Sequence, residues 1–182
     1  EILAKPQTLA NGMAQTDPDA LFALGTLAMQ TKDWLAANKH FKAYLAVIAK
    51  DPTRDPLNAL LSLATIAEEQ KQFLQAVDWY EQIDTPTQFL NAQIRAVLAL
   101  SRAGQQEAAW EKLKTLKPLS AEEKTRTLLA QSQLLRDRGH YSEAFKLLTD
   151  SLKQQPNNTD LLYDRAMLAE KLNQFEEAEL GF

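Results

Sequence analysis

The chain has 182 residues, 45% of them hydrophobic and 24% charged, with a net charge of −4; this fits a folded protein, and its five glycines argue against a strand-rich fold with many tight turns. It holds no cysteine, which excludes disulfides, thiolate metal sites and cysteine nucleophiles within this sequence. Its lysines and arginines are dispersed, which argues against nucleic-acid binding, and no apolar run reaches the roughly 18–20 residues that would cross a bilayer.

In chain order, residues 1–16 read as the remnant of a preceding helix or a linker, broken near Pro6 and Gly12. Asp17 followed by Pro18 is a helix start, a capping side chain and then proline at the first helical position. The first unit carries helical material through Ala46, Val47, Ile48 and Ala49 before Pro52. Pro52, Pro56, Pro86, Pro118 and Pro156 are expected near the ends of second helices, where proline cannot continue the helix. Gly104 and Gly139 are expected in turns between paired helices, and Asn157-Asn158 after Pro156 breaks one unit from the next. The sequence starts at Glu1 and stops at Phe182 inside a predicted second helix, so it reads as a piece of a longer protein. Phe175, Leu180 and Phe182 are expected to fray or to pack against another chain.

Beneath this punctuation runs a period. Ala37, Ala76, Ala109, Ala144 and Ala178 are separated by 39, 33, 35 and 34 residues, and each carries the same kinds of neighbour at the same offsets. Twelve residues earlier stand Gly25, Ala64, Val97, Ser132 and Ala166, mostly small; nine earlier stand Ala28, Ala67, Leu100, Leu135 and Ala169. Three earlier stand Trp34, Phe73, Gln106, Tyr141 and Phe175; four later stand Phe41, Tyr80, Leu113, Leu148 and Phe182. Offsets of three and four share a helical face. Small columns let two antiparallel helices approach, and large ones fill the space between them. The unit is helix, tight turn, helix. The third departs from the pattern at Val97 and Gln106, which leaves its local packing open.

These columns resemble the tetratricopeptide repeat, whose period is about 34 residues; the best matches are GHYSEAFKLLTDSLKQQPNN from Gly139 and NQFEEAELGF from Asn173. The expectation is an all-α solenoid, a right-handed superhelix of antiparallel helix pairs. Residues 17–182 would hold about four and a half to five repeats starting near 18, 57, 90, 125 and 159, the last truncated. Two stretches, ATIAEEQKQFLQAVDWYEQI from Ala64 and LLYDRAMLAEKLNQFEEAE from Leu161, with QFLNAQIRAVLALSRAGQQEAAW from Gln88, resemble more narrowly the large tetratricopeptide lipoproteins of Gram-negative outer membranes. That resemblance implies an amino-terminal lipid anchor, a periplasmic repeat array and an adaptor role, one form of which presents substrates to a carboxy-terminal processing protease. The anchor cysteine is not in this sequence. A cytoplasmic setting is the alternative.

Chemistry is sparse. His40 and His140 lie in separate repeats, and surface or packing roles account for them better than catalysis. Glu68–Glu69, Glu122–Glu123 and Glu176–Glu177 are helix neighbours that point in different directions and cannot straddle one bond. Asn157-Asn158-Thr159 matches a glycosylation sequon, but the break between repeats explains it as well. Neither cofactor nor metal is expected.

A repeat array points to binding. The inward column, fifteen residues before each alanine, holds Phe22, Leu61, Ile94, Leu129 and Tyr163, all apolar or aromatic. Polar or mixed columns beside it supply Asn58, Asn91, Arg126, Thr65 and Arg102. Such a groove suits an extended peptide or an amphipathic helix. The competing explanation is that these residues pack between adjacent first helices. Aspartate at Leu61 and Ile94 separates the two, since it abolishes binding in the first case and folding in the second. Phe22, Thr26, Ser62 and Ala130 stand where a terminal-carboxylate clamp wants cations or asparagine, so that type of co-chaperone is not expected. The expected function is a non-enzymatic scaffold or adaptor for a protein or peptide. A regulatory or substrate-binding part of a larger enzyme or assembly machine is the alternative, and self-association through the terminal helices a third possibility.

Overall fold

The computed structural model describes residues 17–180, with side chains to Asn173. Nine helices and no strand occur among the described residues: α1 (Pro18–Gln30), α2 (Trp34–Ile48), α3 (Leu57–Glu69), α4 (Phe73–Glu81), α5 (Pro86–Arg102), α6 (Gln106–Thr115), α7 (Ala121–Asp137), α8 (Tyr141–Leu152) and α9 (Thr159–Leu180). The chain divides after Thr85 into two compact units, one holding α1–α4 and the other α5–α9. Within each unit consecutive helices pack as pairs, α1 on α2 and α3 on α4, then α5 on α6, α7 on α8 and α8 on α9.

The alanine column explains the pairing. Ala37, Ala76, Ala109 and Ala144 are fully buried, and Gly25, Ala64, Val97 and Ser132 are buried on the first helices. A Cβ on Gly25 would meet the Phe41 ring at 2.9 Å, so glycine is what lets that ring seat against α1. At the corresponding positions of the later pairs, Ala64 and Tyr80, Val97 and Leu113, and Ser132 and Leu148 are all buried, so the departure at Val97 still lies in the core. At the other departure, Gln106 forms a polar contact instead of an aromatic one, its Nε2 donating to the Ser101 carbonyl at 3.4 Å.

One turn design closes all four pairs. Lys32, Lys71, Gly104 and Gly139 take positive φ of 56°, 58°, 78° and 77°. At each, the next N–H reaches back to the carbonyl five residues earlier, as from Asp33 to Ala28 at 2.9 Å and from His140 to Leu135 at 2.8 Å. This is a left-handed helix cap. Glycine adopts it without steric cost, whereas the two lysines do not.

Three sequence expectations are corrected. Pro86 does not trail a second helix; it is the first residue of α5, where the missing N–H costs nothing. The third and fourth first helices begin at Pro86 and Ala121 rather than near 90 and 125, the latter because Ser120 and Glu123 form a reciprocal capping box. The fifth unit does not turn back at Asn173; α9 runs unbroken to Leu180. Ala166 is accordingly exposed, although its column is buried in the other four repeats. The expectations for residues 1–16 and for the side chains of Phe175, Leu180 and Phe182 lie outside the described residues.

Candidate functional site

The second unit carries a cavity of about 730 Å³ lined only by its first helices, α5, α7 and α9. Six of the ten residues expected at the binding surface line it: Ile94, Leu129 and Tyr163 from the inward column, and Asn91, Arg126 and Arg102 beside them. Leu98 adds a further apolar wall, and Arg95, Arg136, Asp137, Asp160 and Asp164 contribute charge. Offsets of three and four along α5 set Asn91, Ile94, Arg95, Leu98 and Arg102 on one stripe.

The walls are tied by side-chain bonds from one first helix to the next. Arg126 Nη1 donates to Asn91 Oδ1, and its Nη2 to Glu122 Oε1 at 2.5 Å. Ser101 Oγ donates to Asp137 Oδ2 at 2.6 Å, and Gln133 Nε2 to Asp137 Oδ1 at 2.6 Å. Ser132, with no exposed surface, donates to Asp164 Oδ2 at 2.8 Å, while Arg136 pairs with the other oxygen of Asp164. Buried polar groups are costly unless bonded, so Ser101, Ser132 and Asp164 fix how α5, α7 and α9 meet. Neither serine stood out in the sequence as a wall component. For Ser132 the available signal was its place in a small-residue column, which size alone already explained; Ser101 stood in no column.

The exposures differ along the inward column. Tyr163 is 69% exposed, Leu129 is half-buried, and Ile94 is 8% exposed. Ile94 therefore both lines the cavity and packs between helices, and an aspartate there would test folding. In the first unit Phe22 is half-buried and packs edge-on against Phe41 and Tyr44, with centroids 5.4 and 5.3 Å apart; it belongs to that unit's core cluster. Leu61 and Thr65 are half-buried and Asn58 is exposed. No group of three or more histidine, cysteine or carboxylate side chains suited to a metal occurs among the described residues. No helix there is long and apolar enough to cross a membrane.

Helix pairs joined by identical tight turns at a period near 34 residues define an all-α repeat protein. A family model described as tetratricopeptide repeat matches residues 135–180, and tetratricopeptide repeat proteins of solved structure share the fold of the chain. A tetratricopeptide repeat protein from Parabacteroides merdae superposes with a TM-score of 0.64 at 17% identity, covering 90% of this chain and 62% of that one. YrrB, described as a TPR protein with an unusual peptide-binding site, gives 0.54 at 17% identity, covering 91% of this chain and 84% of its own. A TPR repeat-containing protein of Pseudomonas aeruginosa is 32% identical over 121 residues, 66% of this chain. The chain spans about one fifth of that relative's length, 20%.

Proposed function

We propose that the chain is a non-enzymatic interaction scaffold and that the groove between α5, α7 and α9 receives a peptide segment of a partner protein. The observation that carries this is the exposed Tyr163 above half-buried Leu129 and Leu98, in a cavity whose walls are held by bonds internal to the fold. A preorganised apolar stripe with polar flanks supplies anchors for affinity and donors for register. The peptide-binding site named for YrrB is in keeping with this reading. Phe22, Leu61, Asn58 and Thr65 would take part only where a partner extends along the first unit.

The finer reading is an adaptor in the periplasm, anchored by a lipid outside this sequence and serving a processing protease. It rests on the lipoprotein resemblance alone, and fractionation of the full-length protein tests it. A second reading makes the array the regulatory or substrate-binding portion of a larger enzyme or assembly machine, which is in keeping with the chain's 20% share of its relative's length. Self-association would use α9, where Leu162, Tyr163 and Met167 are exposed, and light scattering across a dilution series reads it directly.

The test of the groove is a displayed peptide library selected on the purified chain and re-measured with Tyr163→Ala and Leu129→Ser. Removing a central aromatic anchor costs binding about tenfold or more. Selected peptides that bind both variants as tightly as the parent would place the site elsewhere.

A further inference from the structure

The cations in the groove are of one kind. The chain has thirteen lysines and seven arginines, yet four of the arginines and none of the lysines line this cavity. A guanidinium offers five N–H donors in a planar fork that fits a carboxylate in two-point contact, which a lysine does not. Two of the three aspartates beside them are occupied within the fold. Asp137 takes Ser101 and Gln133, one on each oxygen, and Asp164 takes Ser132 and Arg136. Arg126 is engaged by Asn91 and Glu122. The lining thus sets four guanidiniums against three carboxylates.

The spacing adds a second constraint. Arg95 and Arg102 are exposed and lie seven residues apart on one face of α5, with Leu98 between them. Seven residues of helix rise about 10 Å, a span that about three residues of extended chain match. Across the groove α9 presents Asp160 and Tyr163, so a carboxylate is favoured on the α5 side and disfavoured near Asp160. Contacts that Arg95 and Arg102 make while exposed yield readily to a bidentate partner, because solvent screens them.

Building on the groove reading above, we propose that the second unit recognises acidic–apolar segments, in which Arg95 and Arg102 hold carboxylates flanking an apolar side chain seated on Leu98, Leu129 and Tyr163. The partner is a protein segment with two acidic residues two to four positions apart and a leucine or aromatic residue between them. No chain terminus is required, because the two guanidiniums flank the anchor instead of converging on one end.

Three labelled peptides of equal length, centred on Glu-Leu-Glu, Lys-Leu-Lys and Glu-Ser-Glu, test this by fluorescence anisotropy with the full 182-residue chain. Glu-Leu-Glu is expected to bind at least tenfold tighter than either control in about 50 mM salt and to weaken in about 0.5 M salt. The Arg95→Glu/Arg102→Glu variant is expected to reverse the preference toward Lys-Leu-Lys, an exchange that loss of structure cannot produce. Equal binding of the acidic and basic peptides, or an unchanged preference in that variant, overturns the acidic assignment. If Tyr163→Ala still abolishes binding in that case, the groove reading stands without it. Binding that neither the arginine variant nor Tyr163→Ala disturbs, or the absence of binding by all three peptides, overturns both.

Discussion

In the first unit the inward residue of α1, Phe22, lays its ring against Phe41 and Tyr44. In the second, Ile94, Leu129 and Tyr163 from the same column line an open cavity beside four arginines. The first unit joins its helices through aromatic volume, with Phe41 and Tyr80 fully buried. The second joins its first helices through serine, asparagine and aspartate bonds. A column that consumes its aromatic residues in packing has little left to offer a partner. Where polar ties set the spacing instead, the apolar positions between them stay available. One repeat pattern thus supports both a filled core position and an open cavity with polar walls.

The sharpest way to break this contrast is to remove the aromatic that organises the first unit. Phe41→Ala should destabilise that unit by about 3–5 kcal/mol, because the ring has no exposed surface. Trp34 and Trp79 report on the first unit and Trp110 on the second, so a Trp110→Phe background isolates the first unit's fluorescence in a urea titration. A loss under about 1 kcal/mol would mean that the site collapses around the cavity, contrary to close packing.

The matching cut in the second unit is Asp164→Ala, which leaves Arg136 and the buried Ser132 without their shared partner. Arg136 and Asp164 keep only 23% and 15% of their side-chain surface exposed, so a loss of about 2–3 kcal/mol is expected. In a Trp34→Phe/Trp79→Phe background, Trp110 should follow that loss, and the peptide affinity of the groove should fall with it. Full retention of both would show that the polar ties contribute no spacing.

A smaller effect tests the close approach of α1 and α2. Gly25→Ala gains helix propensity but drives a methyl into the Phe41 ring at 2.9 Å; overpacking of this kind typically costs about 1–3 kcal/mol, and it should outweigh the gain. The turns give effects smaller still, of opposite sign in the two units. Lys71→Gly should stabilise by about 0.5–1 kcal/mol by removing left-handed strain, and Gly104→Ala should destabilise by about 1 kcal/mol. No atom lies within 4 Å of a Cβ placed on Gly104, so the backbone alone sets that cost. Thermal midpoints that move in the same direction for both substitutions would contradict the shared turn geometry.

The repeat was legible because alanine columns and turn glycines are local signals repeated several times. Lys32 and Lys71 escaped notice as left-handed caps because lysine carries no turn preference, and only their alignment with Gly104 and Gly139 reveals the geometry. Pro86 was assigned to the wrong helix because proline both ends helices and begins them. In the candidate site, the inward column gave Leu129 and Tyr163, but it could not separate them from Phe22. That distinction depends on Phe41 and Tyr44, which approach Phe22 from another helix. Ser101 and Ser132 were hidden for a similar reason, since Asp137 and Asp164 lie 36 and 32 residues further on.

The weakest effect concerns charge at the edge of the first unit. Arg54 forks onto Asp19, its Nη2 donating to Oδ2 at 3.2 Å, and ties α1 to the segment before α3. This hydrogen bond holds the Asp19 carboxyl below its ordinary value, against a desolvation that is larger than the further lowering by the guanidinium's charge. Asp51 is lowered as well, first by the Thr53 hydroxyl and backbone N–H and only last by Arg54. A carboxyl depressed by folding contributes stability above its unfolded pKa, near 3.9, and loses that contribution as pH falls through its folded value. The first unit should therefore weaken below about pH 4, through groups that are protonated there. Arg54→Met should remove the Asp19 share and keep the Asp51 share, so the acid slope flattens without vanishing. Both carboxylates are exposed, so the change should be small and should shrink further in about 0.5 M salt. Identical acid profiles for Arg54→Met and the parent at low salt would mean that the fork holds no charge in solution, leaving Thr53 as the source of the acid sensitivity in that loop.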